Sequence, residues 1–209
     1  MILILVGPPA SGKGTYAELL AKKLKLPHVS MGELLRQLAE KTDYGKELKE
    51  KYWGKGILVP DDITLDVLQQ GFDKKRGAIL DGFPRNLNQA KLLDGLVKVS
   101  LVISLKVSDK TIVKRISGRL QCKVCGAIYN KYTEQRPRRD ELCDKDGSKL
   151  YARPDDKNVG AIKERIKIYK KDTTPVIAHY KRQGIVKEID GEPQVDVVFK
   201  SVLKTIGKR

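Results

Sequence analysis

The apolar run Ile2-Leu3-Ile4-Leu5-Val6 breaks straight into Gly7-Pro8-Pro9-Ala10-Ser11-Gly12-Lys13-Gly14-Thr15, and a helical stretch follows as far as Leu24. No other stretch constrains the fold as much, because a buried strand turning through a glycine-rich loop into a helix is the setting a phosphate-binding P-loop requires. Glycines let backbone N–H groups face an anion, the following helix adds the positive end of its dipole, and Lys13 adds a mobile charge. The stretch departs from the strict pattern G-x-x-x-x-G-K-[ST]: Gly14 holds the hydroxyl slot and Thr15 comes one residue later. Strand context together with Gly12-Lys13 still favours a nucleotide phosphate site over a plain turn.

At 209 residues the chain is long enough for one well-buried α/β domain with a sizeable insertion. Apolar residues make up 40% and charged residues 33%, the balance of a globular protein rather than a disordered one. No apolar stretch approaches a membrane span. Met1–Val6 leads directly into the loop and so reads as a core strand, not a signal peptide. The expectation is a cytoplasmic protein with no membrane association. Lys and Arg number 42 against 26 Asp and Glu, a formal charge of +16. Nucleic-acid binding is one way to use that excess. The basic residues are scattered, however, with no aromatic-interleaved cluster, and a site that gathers several phosphates also benefits from a positive field. No nucleic-acid partner is expected.

Periodicity predicts strands at Ile2–Val6, His28-Val29, Ala78–Leu80, Ser100–Leu105 and Ile185–Ile189. Helices are predicted at Thr15–Leu24, Gly32–Ala39, Asp61–Phe72, Leu87–Leu93, Asp109–Arg119, Ala161–Arg182 and Val195–Thr205. Strands alternating with helices imply an α/β fold with a parallel sheet covered on both faces. From about Gln121 to Arg153 the rhythm stops. A structureless loop of that length is improbable inside a compact domain, so the segment is expected to be a small separate unit.

All three cysteines fall in that unit. Cys122-Lys123-Val124-Cys125-Gly126 has the spacing of a metal knuckle. Cys143-Asp144-Lys145-Asp146-Gly147 repeats it with a carboxylate in place of the second thiolate. Tetrahedral zinc takes four ligands and accepts an aspartate oxygen among them. Cys122, Cys125, Cys143 and Asp146 form the best set, with Asp144 the weaker fourth ligand. An odd cysteine count in a cytoplasmic chain argues against disulfides. A closed set of four leaves no open coordination position, so the metal is expected to hold the insertion together and not to catalyse.

Asp81-Gly82-Phe83-Pro84-Arg85 follows the strand Ala78-Ile79-Leu80, where an acidic group can order the waters of a magnesium ion. With the loop Gly7–Thr15, the stretch Gly56-Ile57-Leu58-Val59-Pro60-Asp61 and the cysteine insertion, it makes the chain resemble adenylate kinases over nearly its whole length. More narrowly, the chain is similar to the long form whose lid holds zinc. The resemblance implies a P-loop core with a five-stranded parallel sheet, built from residues 1–29, 60–120 and 154–209. It also implies a helical arm for the nucleoside monophosphate at 30–59 and a lid at 121–153. The implied reaction is reversible Mg-dependent transfer of the terminal phosphoryl group of ATP to AMP, giving two ADP.

Carried over to this sequence, the resemblance puts the donor phosphates on Lys13 and the backbone of Gly7, Pro8, Pro9, Ala10, Ser11, Gly12, Gly14 and Thr15, with Gly191 and Pro193 completing the ATP site. Arg36 and Arg85 grip the acceptor phosphate and Gln89 reads its base, while Ser30, Met31, Leu58, Val59, Gly82 and Phe83 line the AMP pocket. Arg119 packs on the donor adenine. Arg115, Arg153 and Arg165 converge on the transferring group, and Arg153 and Arg165 also reach AMP. Asp81 organises magnesium through water, and Asp155 and Asp156 position the hinge. Members of this form are commonly monomers. Around Asp156–Gly160 the chain differs slightly in length from the family pattern, which bears on Arg165. His28, His179 and Trp53 are assigned structural roles.

At the start of the arm the family reads S-T-G-D and this chain reads Ser30-Met31-Gly32-Glu33. Met31 supplies bulk but no hydroxyl, so one polar contact to the acceptor base is lost and discrimination among monophosphates is expected to loosen. A broad-specificity or UMP/CMP kinase is therefore one alternative, although the long cysteine-bearing lid argues against it. A zinc-ribbon nucleic-acid-binding protein on an inert P-loop fold is the other.

Overall fold

The computed structural model describes residues 1–55, 57–73, 75–153, 156 and 159–207. Five parallel strands form the main sheet in the order β2-β3-β1-β4-β8: β1 Ile2–Val6, β2 His28–Ser30, β3 Ala78–Asp81, β4 Leu101–Lys106 and β8 Val186–Asp190. Central β1 pairs Leu3 with Ile79 on one side and with Leu101 on the other. Its side chains alternate between two cores. Ile2, Ile4 and Val6 join Leu80, Val102, Val176 and Tyr180 on one face. Leu3 and Leu5 join Leu20, Ile103, Val198 and Val202 on the other. A strand buried on both faces must be apolar at every position, hence the unbroken run Ile2–Val6.

Helices α1 Lys13–Leu24 and α9 Val195–Ile206 cover one face. On the other lie α2 Met31–Lys41, α4 Asp61–Gly71, α5 Leu87–Leu96 and α8 Thr174–Arg182. Because all five strands run the same way, Gly7, Ser30, Asp81, Val107 and Gly191 emerge at one edge of the sheet, where α/β folds place their ligands.

Three elements differ from the sequence reading. Helix α3 Asp43–Lys51 went unpredicted because apolar periodicity does not specify it. Its buried residues are only Gly45 and Leu48, and Thr42 Oγ1 caps it by accepting from Gly45 N at 2.9 Å. At Gly45 an added Cβ would fall 2.3 Å from the Leu38 backbone, so α2 and α3 touch through a missing side chain. Helix α6, Asp109–Ser117, ends before Arg119, which opens strand β5. The long helix predicted at Ala161–Arg182 is α7 Val159–Ile168, a π-helical turn Tyr169–Thr173, and α8.

The cysteine segment forms a three-stranded antiparallel sheet, with β5 Arg119–Cys122 between β6 Ile128–Asn130 and β7 Leu150–Tyr151. Its own core is small: Leu120, Cys122, Ala127, Tyr129, Cys143 and Leu150. The sheet sits over the glycine-rich loop, Ile128 Cδ1 lying 3.8 Å from where a Gly14 Cβ would be. Among the described residues no helix is long and apolar enough to cross a membrane.

Candidate active site

The loop after β1 turns at Gly12, whose φ of 94° is open to glycine at no steric cost. Tyr16, at the start of α1, fills the space a Gly12 side chain would need, the ring lying 2.7 Å from that position. Lys13 Nζ folds back onto the loop, donating to the carbonyls of Gly7 and Pro8 at 2.8 and 2.7 Å. Burial lowers the Lys13 pKa to about 8; Asp81 opposes the shift, while Arg85, Arg165 and Arg119 reinforce it. The site thus holds more positive charge than its own acids balance, a deficit that bound phosphate would fill.

Asp81, at the end of β3, faces that lysine from beneath Gly14, its Oδ2 3.4 Å from an ideal Gly14 Cβ. Burial alone would raise its pKa, but His28, Lys13 and Arg85 outweigh burial and keep the carboxylate ionised below its usual range. His28 Nε2 approaches Asp81 Oδ2 at 3.6 Å, too far for a hydrogen bond, and has no hydrogen-bond partner among the described residues.

The loop after Asp81 is held from several directions. Arg85 Nε donates to Gly82 O at 2.8 Å, Gln89 Oε1 accepts from Arg85 N at 2.7 Å, and Thr173 in the π-helical turn donates to Arg85 O at 2.7 Å. Asp61 gathers the side-chain amides of Asn86, Asn88 and Gln89 at 2.7, 2.7 and 2.9 Å. Neither Thr173 nor the Asp61 cluster was singled out from sequence. Asp61 opens the helix predicted at Asp61–Phe72, a role that hid the second use of its carboxylate.

A cavity of about 1740 Å³ opens between the loop, helices α2 and α3, and the antiparallel sheet. Its lining includes Gly7, Pro9, Ala10, Gly12, Lys13, Gly14, Thr15, Ser30, Arg36, Leu58, Asp81, Gly82, Arg85, Arg115, Arg119, Arg153, Arg165 and Pro193. The remaining residues expected at the site stand outside that lining. Ser11, Met31, Val59, Phe83 and Gln89 are buried, and Pro8 and Gly191 are backbone neighbours of the wall. Met31 belongs to the core cluster with Leu35 and Val59. Both ends of the Gln89 amide are engaged, by Arg85 and Asp61. Gly56 and Asp155 lie outside the described residues.

The arginines are held by acids and carbonyls. Arg119 forks onto Asp156 with Nε at 2.6 Å and Nη2 at 2.5 Å, and Arg165 Nη1 reaches the same carboxylate at 2.9 Å. Arg36 Nη2 pairs with Glu33 at 2.8 Å, Arg153 Nε donates to Gln121 Oε1 at 2.6 Å, and Arg115 Nη2 donates to Gly191 O at 2.9 Å. Arg165 thus faces the cavity despite the altered spacing after Asp156. The wider π-helical turn follows in the same helical stretch, and such bulges recur at functional sites.

In the antiparallel sheet one ligand atom each of Cys122, Cys125, Cys143 and Asp146 lies within 4.8 Å of the others, a cluster able to hold a metal ion. Backbone N–H groups of Val124 and Cys125 donate to Cys122 Sγ at 3.3 Å each, the turn expected of a knuckle. Loss of solvent around its sulfur, then the Asp146 carboxylate, push the Cys125 thiol up to about 12. A divalent cation would reverse that balance.

Two polyanions end to end are what such a cavity can neutralise: one on the loop with Lys13, the other across Asp81 at Arg85 and Arg36. That arrangement defines a P-loop nucleotide phosphotransferase, in which positioning and charge do the chemistry. The model of the adenylate kinase family matches residues 5–185. An adenylate kinase of Caldanaerobacter subterraneus subsp. tengcongensis is 41% identical over 215 aligned positions, covering 99% of this chain and 96% of that protein. One of Rickettsia bellii is 42% identical, covering 98% and 99%, and one of Archaeoglobus fulgidus is 40% identical, covering 97% and 96%. The chain belongs to the adenylate kinase family, enzymes whose general reaction is phosphotransfer between ATP and AMP and which use Mg2+ with ATP.

Proposed function

We propose that this cavity carries out the transfer with ATP on the Gly7–Thr15 loop, AMP between the arm (30–59) and the Asp81–Arg85 loop, and the segment 121–153 closing as a lid. The observation that carries the assignment is the convergence of Lys13, Arg85, Arg119 and Arg165 on one cavity, where the arginines add to burial in lowering the Lys13 pKa. Charge spread over a transferring phosphoryl group needs such donors on several sides, and guanidiniums supply paired ones. Lys13 would exchange the Gly7 and Pro8 carbonyls for phosphate oxygens and follow the group in transfer. Arg115 adds charge from α6 and Arg153 from just beyond β7. Closure of the lid excludes water and so favours AMP over hydrolysis.

Bound with ATP, magnesium would supply charge neutralisation for the transferring phosphates. Asp81, ionised and next to the loop, is the residue we assign to order its waters. Zinc is our reading of the Cys122, Cys125, Cys143 and Asp146 set: three thiolates and a carboxylate suit its preference, and the small core of the sheet gives it a structural task. A monomer acting in the cytoplasm without a nucleic-acid partner is part of this reading.

Acceptor choice rests on Gln89 and the arm. Gln89 reaches a base edge only by giving up Asp61 or Arg85 N, and the Asp61 bond is the one a base amino or carbonyl group can replace. With no hydroxyl at Met31, AMP is preferred over GMP, CMP and UMP by a smaller factor than in a Met31→Thr variant. Steady-state rates with the four monophosphates test this; equal selectivity of the two proteins would refute it.

A further inference from the structure

Glu192 lies in the turn between β8 and α9 and was not part of the sequence-derived site. Its carboxylate reaches back across 84 residues to the start of α6. Oε1 accepts from Ser108 N at 2.6 Å, and Oε2 accepts from Thr111 Oγ1 at 2.6 Å. Those two bonds, aided by the Arg115 charge, keep the carboxyl below its usual pKa. Negative charge at this helix end also matches its dipole. The other end of α6 completes a strap: Arg115 Nη2 donates to the carbonyls of Gly191 and Glu192 at 2.9 and 3.3 Å. The turn is closed underneath as well, since Gly191 N donates to Lys106 O at 2.8 Å and an added Cβ at Gly191 would lie 2.8 Å from Val107.

Two consequences follow from where this strap sits. Glu192, Pro193 and Gln194 line the cavity on its donor side. Helix α6 runs through Gly118 into Arg119, the first residue of β5. A nine-residue helix thus connects the turn beside the donor to the sheet that covers it.

We propose that Glu192 is a positioning residue for the donor nucleotide: by tying the 191–194 turn to α6, it fixes the wall against which the donor base lies and sets that wall's distance from Arg115 and Arg119. The proposal rests on the assignment of ATP to this side of the cavity. The acceptor side, at Arg36, Arg85 and Gln89, shares none of these bonds.

The test is kinetic and donor-specific. Glu192→Ala is expected to raise KM for ATP about five- to twentyfold while KM for AMP stays within about twofold. Glu192→Gln keeps an acceptor for Ser108 N and can donate to Thr111 Oγ1, so it is expected to restore most of the ATP affinity. A purely structural role would lower Tm and the active fraction, leaving the ratio of the two KM values unchanged, and that result would overturn the proposal. Amide hydrogen exchange of wild-type protein with Mg·ATP separates the layers. Protection of the 191–195 amides with an unchanged KM for ATP in Glu192→Ala overturns the strap alone. Absence of protection overturns the donor assignment and the strap with it.

Discussion

Arg119 and Asp156 meet in a two-point fork across 37 residues, Nε at 2.6 Å from one carboxylate oxygen and Nη2 at 2.5 Å from the other. Arg119 opens the antiparallel sheet and Asp156 lies just beyond its last strand, so the pair fastens together the two connections of that sheet to the core. Side-chain exposure is 10% for Arg119 and 2% for Asp156. Asp156 also takes Arg165. Removing the acid would leave two guanidiniums without their shared partner, the costly way to break a buried pair.

Asp156→Asn is therefore expected to destabilise the protein by about 3 kcal/mol, or roughly 6–12 °C in Tm at this chain length. Its kcat/KM for ATP should fall more than that of Glu33→Gln, which loosens only Arg36. Thermal melts and initial rates check both; an unchanged Tm would contradict the account.

Lys13 gives a pH dependence with a definite sign. Burial lowers its pKa to about 8 in the nucleotide-free protein, and bound phosphate favours the charged form and raises it again. Above about pH 8 the free enzyme must take up a proton to bind ATP, so kcat/KM for ATP falls with a slope approaching about −1 per pH unit. At saturating ATP the proton is already in place and kcat holds to higher pH. Rate profiles at limiting and saturating ATP read the difference.

A metal held by Cys122, Cys125, Cys143 and Asp146 would contribute to stability. Metal analysis is expected to find about one zinc per chain. Chelation should lower Tm by several degrees and expose the 121–153 segment to protease before the main sheet unfolds. Cys143→Ser should mimic chelation. Metal-free protein with an unchanged Tm would refute the structural role.

Gly45 tests the arm. An alanine there must displace the Leu38 backbone, since its Cβ would lie 2.3 Å away. Gly45→Ala is expected to cost about 1–3 kcal/mol and to raise KM for AMP more than KM for ATP. Equal changes in the two would mean that α2 and α3 do not shape the acceptor side.

Much of this was legible from residues alone, for identifiable reasons. Ile2–Val6 announces a strand buried on both faces because every position is apolar, and Gly7–Thr15 announces its loop because backbone N–H groups can cradle an anion only where side chains are absent. The grouping of Cys122, Cys125, Cys143 and Asp146 was legible because such spacing is set by the turn geometry of a knuckle. What escaped notice depends on tertiary partners. Helix α3 is specified by a cap and a glycine contact and not by an apolar stripe. The π-helical turn leaves no mark on the pattern 161–182. Asp61, Thr173 and Glu192 act over sequence separations of 25, 88 and 84 residues. Met31 stands at the start of α2, and its motif does not show that its side chain also packs into the main core with Leu35 and Val59.

The central claim is that mobile charge at Lys13 carries the phosphoryl group between two nucleotides in this cavity. ADP formation from Mg·ATP and AMP by wild type and Lys13→Met tests it most directly. The account predicts two ADP for each ATP consumed by wild type. In Lys13→Met it predicts a loss of at least about 100-fold in kcat, with Tm and the far-ultraviolet spectrum unchanged. A Lys13→Met protein within a few-fold of wild type, or wild type that consumes ATP without phosphorylating AMP, would contradict it.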